Sequence, residues 1–152
     1  MSKRREFLKG LGLVTAASMA SSMAKAQGAS KDHRLVIQVS DNNPDLMTLA
    51  MNNAANVAAA YAEKGEDVTM EIVAYGPGLH MLRADTSPVK DRVQEFPRSM
   101  PNFVFSACGN TKRNMEKNEG KTIILIGQAK IVDAGVVRLM ELQEQGWSYI
   151  KV

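Results

Sequence analysis

The chain of 152 residues has one cysteine, two histidines, one tryptophan, three tyrosines and four phenylalanines. A single cysteine excludes an internal disulfide, and with two histidines it falls short of a four-ligand structural zinc site built from the usual side chains. Aromatic residues are too sparse to interleave with cations along a nucleic-acid surface. Long apolar runs are missing as well. The stretch Gly10 to Met23 spans about fourteen residues and is rich in Ala, Ser and Gly, too short and too weakly apolar to cross about 30 Å of hydrocarbon. No stable membrane anchor is expected. What is present is enough apolar material, 45% of residues against 23% charged, for the core of one globular domain, and the length allows no second one.

The formal charge of +3 is unevenly placed. Residues 1–26 hold Lys3, Arg4, Arg5, Lys9 and Lys25 against Glu6 alone, so the other 126 carry 14 basic and 15 acidic side chains. The basic excess therefore belongs to the N-terminal segment, and the near-neutral remainder gives no support to nucleic-acid binding. That segment has the anatomy of an export signal: a charged start, a mildly apolar centre, and Ala24-Lys25-Ala26 before Gln27, with small residues where a signal peptidase reads. Arg4-Arg5-Glu6-Phe7-Leu8-Lys9 resembles the twin-arginine signal, in which Arg4, Arg5, Phe7, Leu8 and Lys9 are the matching positions. The resemblance implies folding before export and a periplasmic destination. The expected organisation is a cleaved signal over 1–26, a flexible lead-in over 27–33 and one domain over 34–152.

The domain reads as alternating strands and helices. Arg34 to Val39 is a short apolar, β-branched run closed by the turn residues Ser40 to Pro44. Leu46, Leu49, Ala50, Asn53, Ala54, Val57, Ala58 and Tyr61 recur at helical spacing between Pro44 and Lys64, with Gly65 beyond the end. Val68 to Tyr75 alternates with period two and stops at Gly76-Pro77-Gly78. A short helical segment then begins at Leu79, and Val89, Val93 and Phe96 predict a further helix. Asn102 to Ala107 is a third strand, followed by a turn into a helix from Lys112 to Lys117. Beyond Gly120, Thr122 to Ile126 and Lys130 to Val132 compete as the fourth strand. Asp133 is placed to cap a helix from Ala134 to Gln145, its inner face set by Val136, Val137, Met140 and Leu142 or Glu144, before Gly146 and the closing strand Trp147 to Ile150. Strands joined by helical crossovers predict a mostly parallel sheet of about five strands with helices on both sides.

In open α/β sheets, ligands and chemistry gather at the carboxyl ends of the strands. Three loops qualify: Ser40 to Pro44, Gly76 to Leu79 and Ala107 to Thr111. The last holds the only thiol. Cys108 between a strand end and a helix start would have its thiolate favoured by the helix dipole, with Lys112 or Arg113 adding positive charge and Gly109 leaving room for an approaching substrate. The alternative is a small buried core residue, a common setting for free cysteine. His33 falls in the lead-in, and His80 has no carboxylate or second His at ligand spacing, so no metal is expected. Gly76-Pro77-Gly78 lacks the spacing of a dinucleotide or phosphate-binding loop, so no nucleotide cofactor is expected either.

Three stretches taken in order, Val73 to Leu79, Val104 to Thr111, and Ala134 to Ile150, resemble the DsrE/DsrF-like family, over nearly all of the chain after the signal. The resemblance implies a flavodoxin-like three-layer sandwich, assembly into homotrimers or homohexamers, and a cysteine that carries sulfur as a persulfide, the matching position here being Cys108. Gly76, Gly78, Gly109, Asn110 and Thr111 are the accompanying loop residues. The partners implied are a sulfur donor and an acceptor, each a protein or a small thiol. The competing expectation is a non-catalytic oligomeric binding module in which Cys108 is structural and the strand-end loops hold a small ligand or partner protein. N-terminal sequencing of exported material is expected to begin at Gln27; a start at Met1 would show that the segment is retained.

Overall fold

The computed structural model describes residues 32–152; the expected export signal and cleavage point, with most of the expected lead-in, lie outside them. Five strands, β1 (His33–Val39), β2 (Val68–Ala74), β3 (Phe103–Cys108), β4 (Ala129–Val132) and β5 (Ser148–Lys151), form one sheet in the order β4-β3-β2-β1-β5. Every pairing is parallel. The helices are α1 (Pro44–Ala62), α2 (Lys90–Ser99), α3 (Gly109–Glu119) and α4 (Gly135–Glu144), with a 3₁₀ helix over Gly76–Leu82. This is the expected α/β, flavodoxin-like three-layer sandwich.

Local sequence explains most boundaries. Asn43 accepts the Asp45 N–H at 2.9 Å and Pro44 opens α1, the usual chemistry of a helix start. Gly65, at φ 69, turns the chain toward β2, and Gly120, at φ 64, ends α3 in the left-handed region. His33 belongs to β1 and not to the lead-in: its Nε2 lies 2.7 Å from Glu66 Oε2 and its ring stacks on Tyr61. The two candidates for the fourth strand separate cleanly. Ala129–Val132 pairs with β3, whereas residues 122–126 run beside the 3₁₀ helix and its exit, with the Ala84 N–H donating to the Ile124 carbonyl and the Ile126 N–H to the Leu82 carbonyl. Ile123 and Ile126 are buried there, so the apolar run is satisfied outside the sheet.

The two sheet faces differ. One carries Leu35, Ile37, Val39, Met70, Ile72, Ala74, Phe103, Phe105 and Ala107 under α1, the 3₁₀ helix and α2, a continuous apolar core. On α1 the buried positions are Met47, Ala50, Met51 and Ala54, and Leu49, expected inward, is exposed. Arg83, buried beneath this layer, donates to both carboxylate oxygens of Asp85 and of Glu119 and so ties the exit of the 3₁₀ helix to α3. These bonds, with Lys121 also on Asp85, hold the Asp85 carboxyl well below its usual range.

The second face is covered by α4 alone and is partly polar. Val36 and Val73 meet Leu139 and Leu142, beside Gln38, Glu71 and Ser106, all buried. The inner face of α4 is thus Gly135, Arg138, Leu139 and Leu142, not the expected Val136, Val137 and Met140, which are half exposed. A sheet surface that presents a carboxylate and a hydroxyl selects an arginine from the helix above it, and the more apolar stripe is turned outward. Asp133 also fails to cap: Ala134 occupies that position without a side-chain bond.

One glycine is fixed by close packing. A Cβ on Gly78 would sit 2.3 Å from the Val39 carbonyl oxygen and 2.6 Å from its carbon, backbone atoms that cannot yield. Gly78→Ala is expected to destabilise the domain by about 3 kcal/mol or more, against near neutrality for Gly127→Ala, where no atom lies within 4 Å; denaturant unfolding of the two variants checks this.

Candidate functional site

β3 ends at Cys108, and the same residue is the N-cap of α3, at φ −65 and ψ 111. Its sulfur accepts the Thr111 N–H at 3.4 Å, doing for α3 what a Ser or Asp oxygen does at other helix starts. The Thr111 hydroxyl oxygen accepts the Gly76 N–H at 2.9 Å, which leaves the hydroxyl proton for the Cys108 sulfur. A second helix also begins here. Gly135, the first residue of α4, lies so close that a Cβ on it would be 3.3 Å from Cys108 Cβ and 2.9 Å from Tyr75 Cβ, which brings its N–H near enough to favour the thiolate. The Asn110 N–H contributes too while bonding the Asp133 carbonyl oxygen at 3.0 Å. That bond joins the β4–α4 turn to the start of α3.

The thiol therefore sits between the amino ends of two helices, where unpaired N–H groups and both dipoles favour negative charge. Cys108 is only 5% exposed. Burial pushes the thiol up, but the bonds from the Thr111 hydroxyl and from the Gly135, Thr111 and Asn110 N–H groups outweigh it, and the thiol stands below its ordinary value. Lys112 contributes less than expected because it pairs with Glu116. The stabilising charge comes from backbone dipoles and a hydroxyl.

Of the expected loop residues, Gly76, Gly109, Asn110 and Thr111 converge on Cys108, and Gly76 also lies against the Ser40 carbonyl. Gly76, at φ 53, holds a conformation few other residues accept. Gly78 does not join them; it is buried under the Val39–Ser40 backbone. Gly109 does not open a path for substrate either. The space where its side chain would be is taken by the Val132 carbonyl at 3.0 Å, Ile131 Cγ2 at 3.2 Å and Arg113 Nη1 at 3.3 Å, so the missing Cβ lets α3 pack against β4. His80 bonds Thr86 at 2.7 Å, away from the thiol.

Gly135 and Tyr75 belong to the site beyond the expected loop residues. The sequence signal for Gly135 is Asp133-Ala134-Gly135, a fourth strand-to-helix junction equivalent to the other three loops. Tyr75 flanks Gly135, and burial, with Tyr149 nearby, pushes its phenol up. Its hydroxyl shares Gln38 and Ser40, and Gln38 also accepts the Tyr149 hydroxyl at 2.6 Å, a polar cluster joining β1, β2 and β5 beside the thiol. A cavity of about 400 Å³ lies between the end of α1, the start of β2 and the end of α2, lined by Gly65, Asp67, Ser99 and Met100 among others; it opens at the amino end of the sheet, the end opposite Cys108. Among the described residues, no group of three or more His, Cys, Asp or Glu side chains is placed to hold a metal, and no helix is long and apolar enough to cross a membrane.

No family model and no curated protein matches the chain. Among solved structures, it is similar to protein MTH1491 from Methanobacterium thermoautotrophicum, itself described as of unknown function, with 29% sequence identity and a TM-score of 0.68 over 80% of this chain and 100% of that one. The likeness extends over the five-stranded α/β architecture and assigns no activity.

Thr111→Val removes the hydroxyl donor while keeping the side-chain shape and the N–H bond. The midpoint of the pH profile for Cys108 alkylation is expected to rise toward the ordinary cysteine range, slowing the reaction several-fold at pH values below the midpoint. An unchanged profile would show that the backbone donors suffice.

Proposed function

We propose that this protein is a sulfur handler of the DsrE/DsrF-like kind, which holds sulfur as a persulfide on Cys108 and passes it on. The observation that carries the reading is the thiol held between two helix starts, capping α3 through the Thr111 N–H and favoured as thiolate by the neighbouring N–H groups and the Thr111 hydroxyl. In the first step the thiolate attacks the outer sulfur of a donor persulfide. The donor S–S bond breaks, its electron pair leaves on the donor thiolate, and Cys108 becomes Cys–S–SH. In the second step an acceptor thiolate attacks that outer sulfur and the Cys108 thiolate departs. Nothing is oxidised or reduced overall, and no metal is needed. The lowered thiol favours both halves, because a stabilised thiolate is more abundant as nucleophile and leaves more readily.

Delivery to the periplasm by the twin-arginine signal is part of the same proposal, supported by the match of Arg4, Arg5, Phe7, Leu8 and Lys9. Assembly into a homotrimer or homohexamer is supported by Val136, Val137 and Met140, apolar side chains that α4 presents outward. A second reading, an oligomeric binding module with a structural cysteine, is favoured by the 5% exposure of Cys108 and by its use as a helix cap.

Intact-mass spectrometry after exposure to thiosulfate, polysulfide or a small persulfide separates the two. The carrier reading expects a reducible adduct of added sulfur that is absent from Cys108→Ser; the absence of any adduct, together with no alkylation of the native protein, would reject the carrier reading.

A further inference from the structure

The buried ion pair beneath α4 is more than its stability requires. Glu71, 2% exposed on β2, accepts from Arg138 twice, Nε to Oε1 at 2.8 Å and Nη2 to Oε2 at 2.7 Å, and from the Ser106 hydroxyl at 2.6 Å. A buried pair of this kind contributes little net stability compared with apolar groups of the same volume, because desolvation offsets the attraction, but its two-point geometry fixes position. The apolar hold of α4 on the sheet is small, Leu139 and Leu142 over Val36 and Val73 with Tyr75 and Trp147 alongside, and the pair adds directional bonds to it.

The placement of the pair matches the thiol site. Arg138 follows Gly135 by three residues, one turn of α4 and on the same face. Ser106 precedes Cys108 by two residues on β3 and so shares its face of the sheet. Two rungs thus join helix to strand. Arg138 reaches Ser106 through Glu71, and one turn away Gly135 meets Cys108. We propose that Glu71 and Arg138 are positioning residues for Cys108, which fix the register of α4 so that the Gly135 N–H reaches the sulfur. The inference rests on the reading of Cys108 as a working thiolate. The other titratable or charged residues at this junction are Tyr75 just beyond β2, Lys112 and Arg113 from α3, and Asp133 before α4.

Glu71→Gln gives the sharpest test, because two causes predict opposite signs. Through space, loss of a negative charge would lower the Cys108 midpoint; loss of the clamp raises it. The titration is followed by ultraviolet thiolate absorbance, taken as the difference between each variant and the same variant carrying Cys108→Ser, so that neither access to the sulfur nor tyrosine ionisation interferes. The midpoint is expected to rise in Glu71→Gln and in Arg138→Met, and to be partly restored in Arg138→Lys. The double variant Glu71→Leu with Arg138→Leu replaces the pair by apolar volume and is expected to stay folded while showing the same rise, which covers failure of a single variant to fold. An unchanged or lowered midpoint in a folded Glu71→Gln or double-Leu protein would overturn the proposal. Sulfur adducts measured by mass on the same proteins report separately on the carrier reading: a raised midpoint without adducts would retain the clamp and reject the carrier.

Discussion

In a parallel sheet every strand must be followed by a crossover, and the right-handedness of crossovers lets the direction of travel decide which face each helix covers. Here the chain travels one way from β1 through β4 and then returns past β1 to place β5. The three crossovers in the first direction put α1, the 3₁₀ helix with α2, and α3 on one face. The return puts α4 alone on the other. Had β5 followed β4 at the same edge, α4 would have joined the first layer. Its amino end would then not face α3 across the end of β3, and Cys108 would have one helix start beside it, not two. The thiol environment is thus a consequence of strand order before it is a property of any side chain.

The two faces answer different needs. Under α1 and α2 the core is apolar throughout and burial is its main support. Under α4 the sheet presents Glu71, Ser106 and Gln38, and the helix answers with Arg138. That exchange sacrifices apolar burial on α4, leaving Val136, Val137 and Met140 outside, and returns a helix held by directional bonds. Glycine completes the arrangement at Gly135, since a side chain there would meet Tyr75 and Cys108 and push the helix start away from the sulfur.

Where a segment does one thing, its residues announce it. β1, β2 and β3 stand out by apolar runs and alternation, α1 by Asn43-Pro44 and the Gly65 exit, and Cys108 by its place between a strand and a helix. The differences share a cause: apolar character alone points to sheet or inner face, while the partner surface decides. Residues 122–126 are apolar because they seal the edge beside the 3₁₀ helix, and β4 needs only Ala129 to Val132. The inner stripe of α4 is hard to place from sequence because the polarity of this sheet face shows only as single residues, Gln38, Glu71 and Ser106, each inside a separate apolar run. Gly135 was overlooked for a similar reason: its effect requires Cys108 to be adjacent, and 27 positions of chain separate them.

A thiolate held by cations several ångströms away is weakened by dissolved salt, since mobile ions gather around exposed charges and screen them within about 10 Å at moderate ionic strength. The groups that favour the Cys108 thiolate are N–H groups and a hydroxyl beside it, at a residue only 5% exposed. The state of this sulfur is therefore set largely inside the fold and depends little on the ionic strength of the surrounding medium.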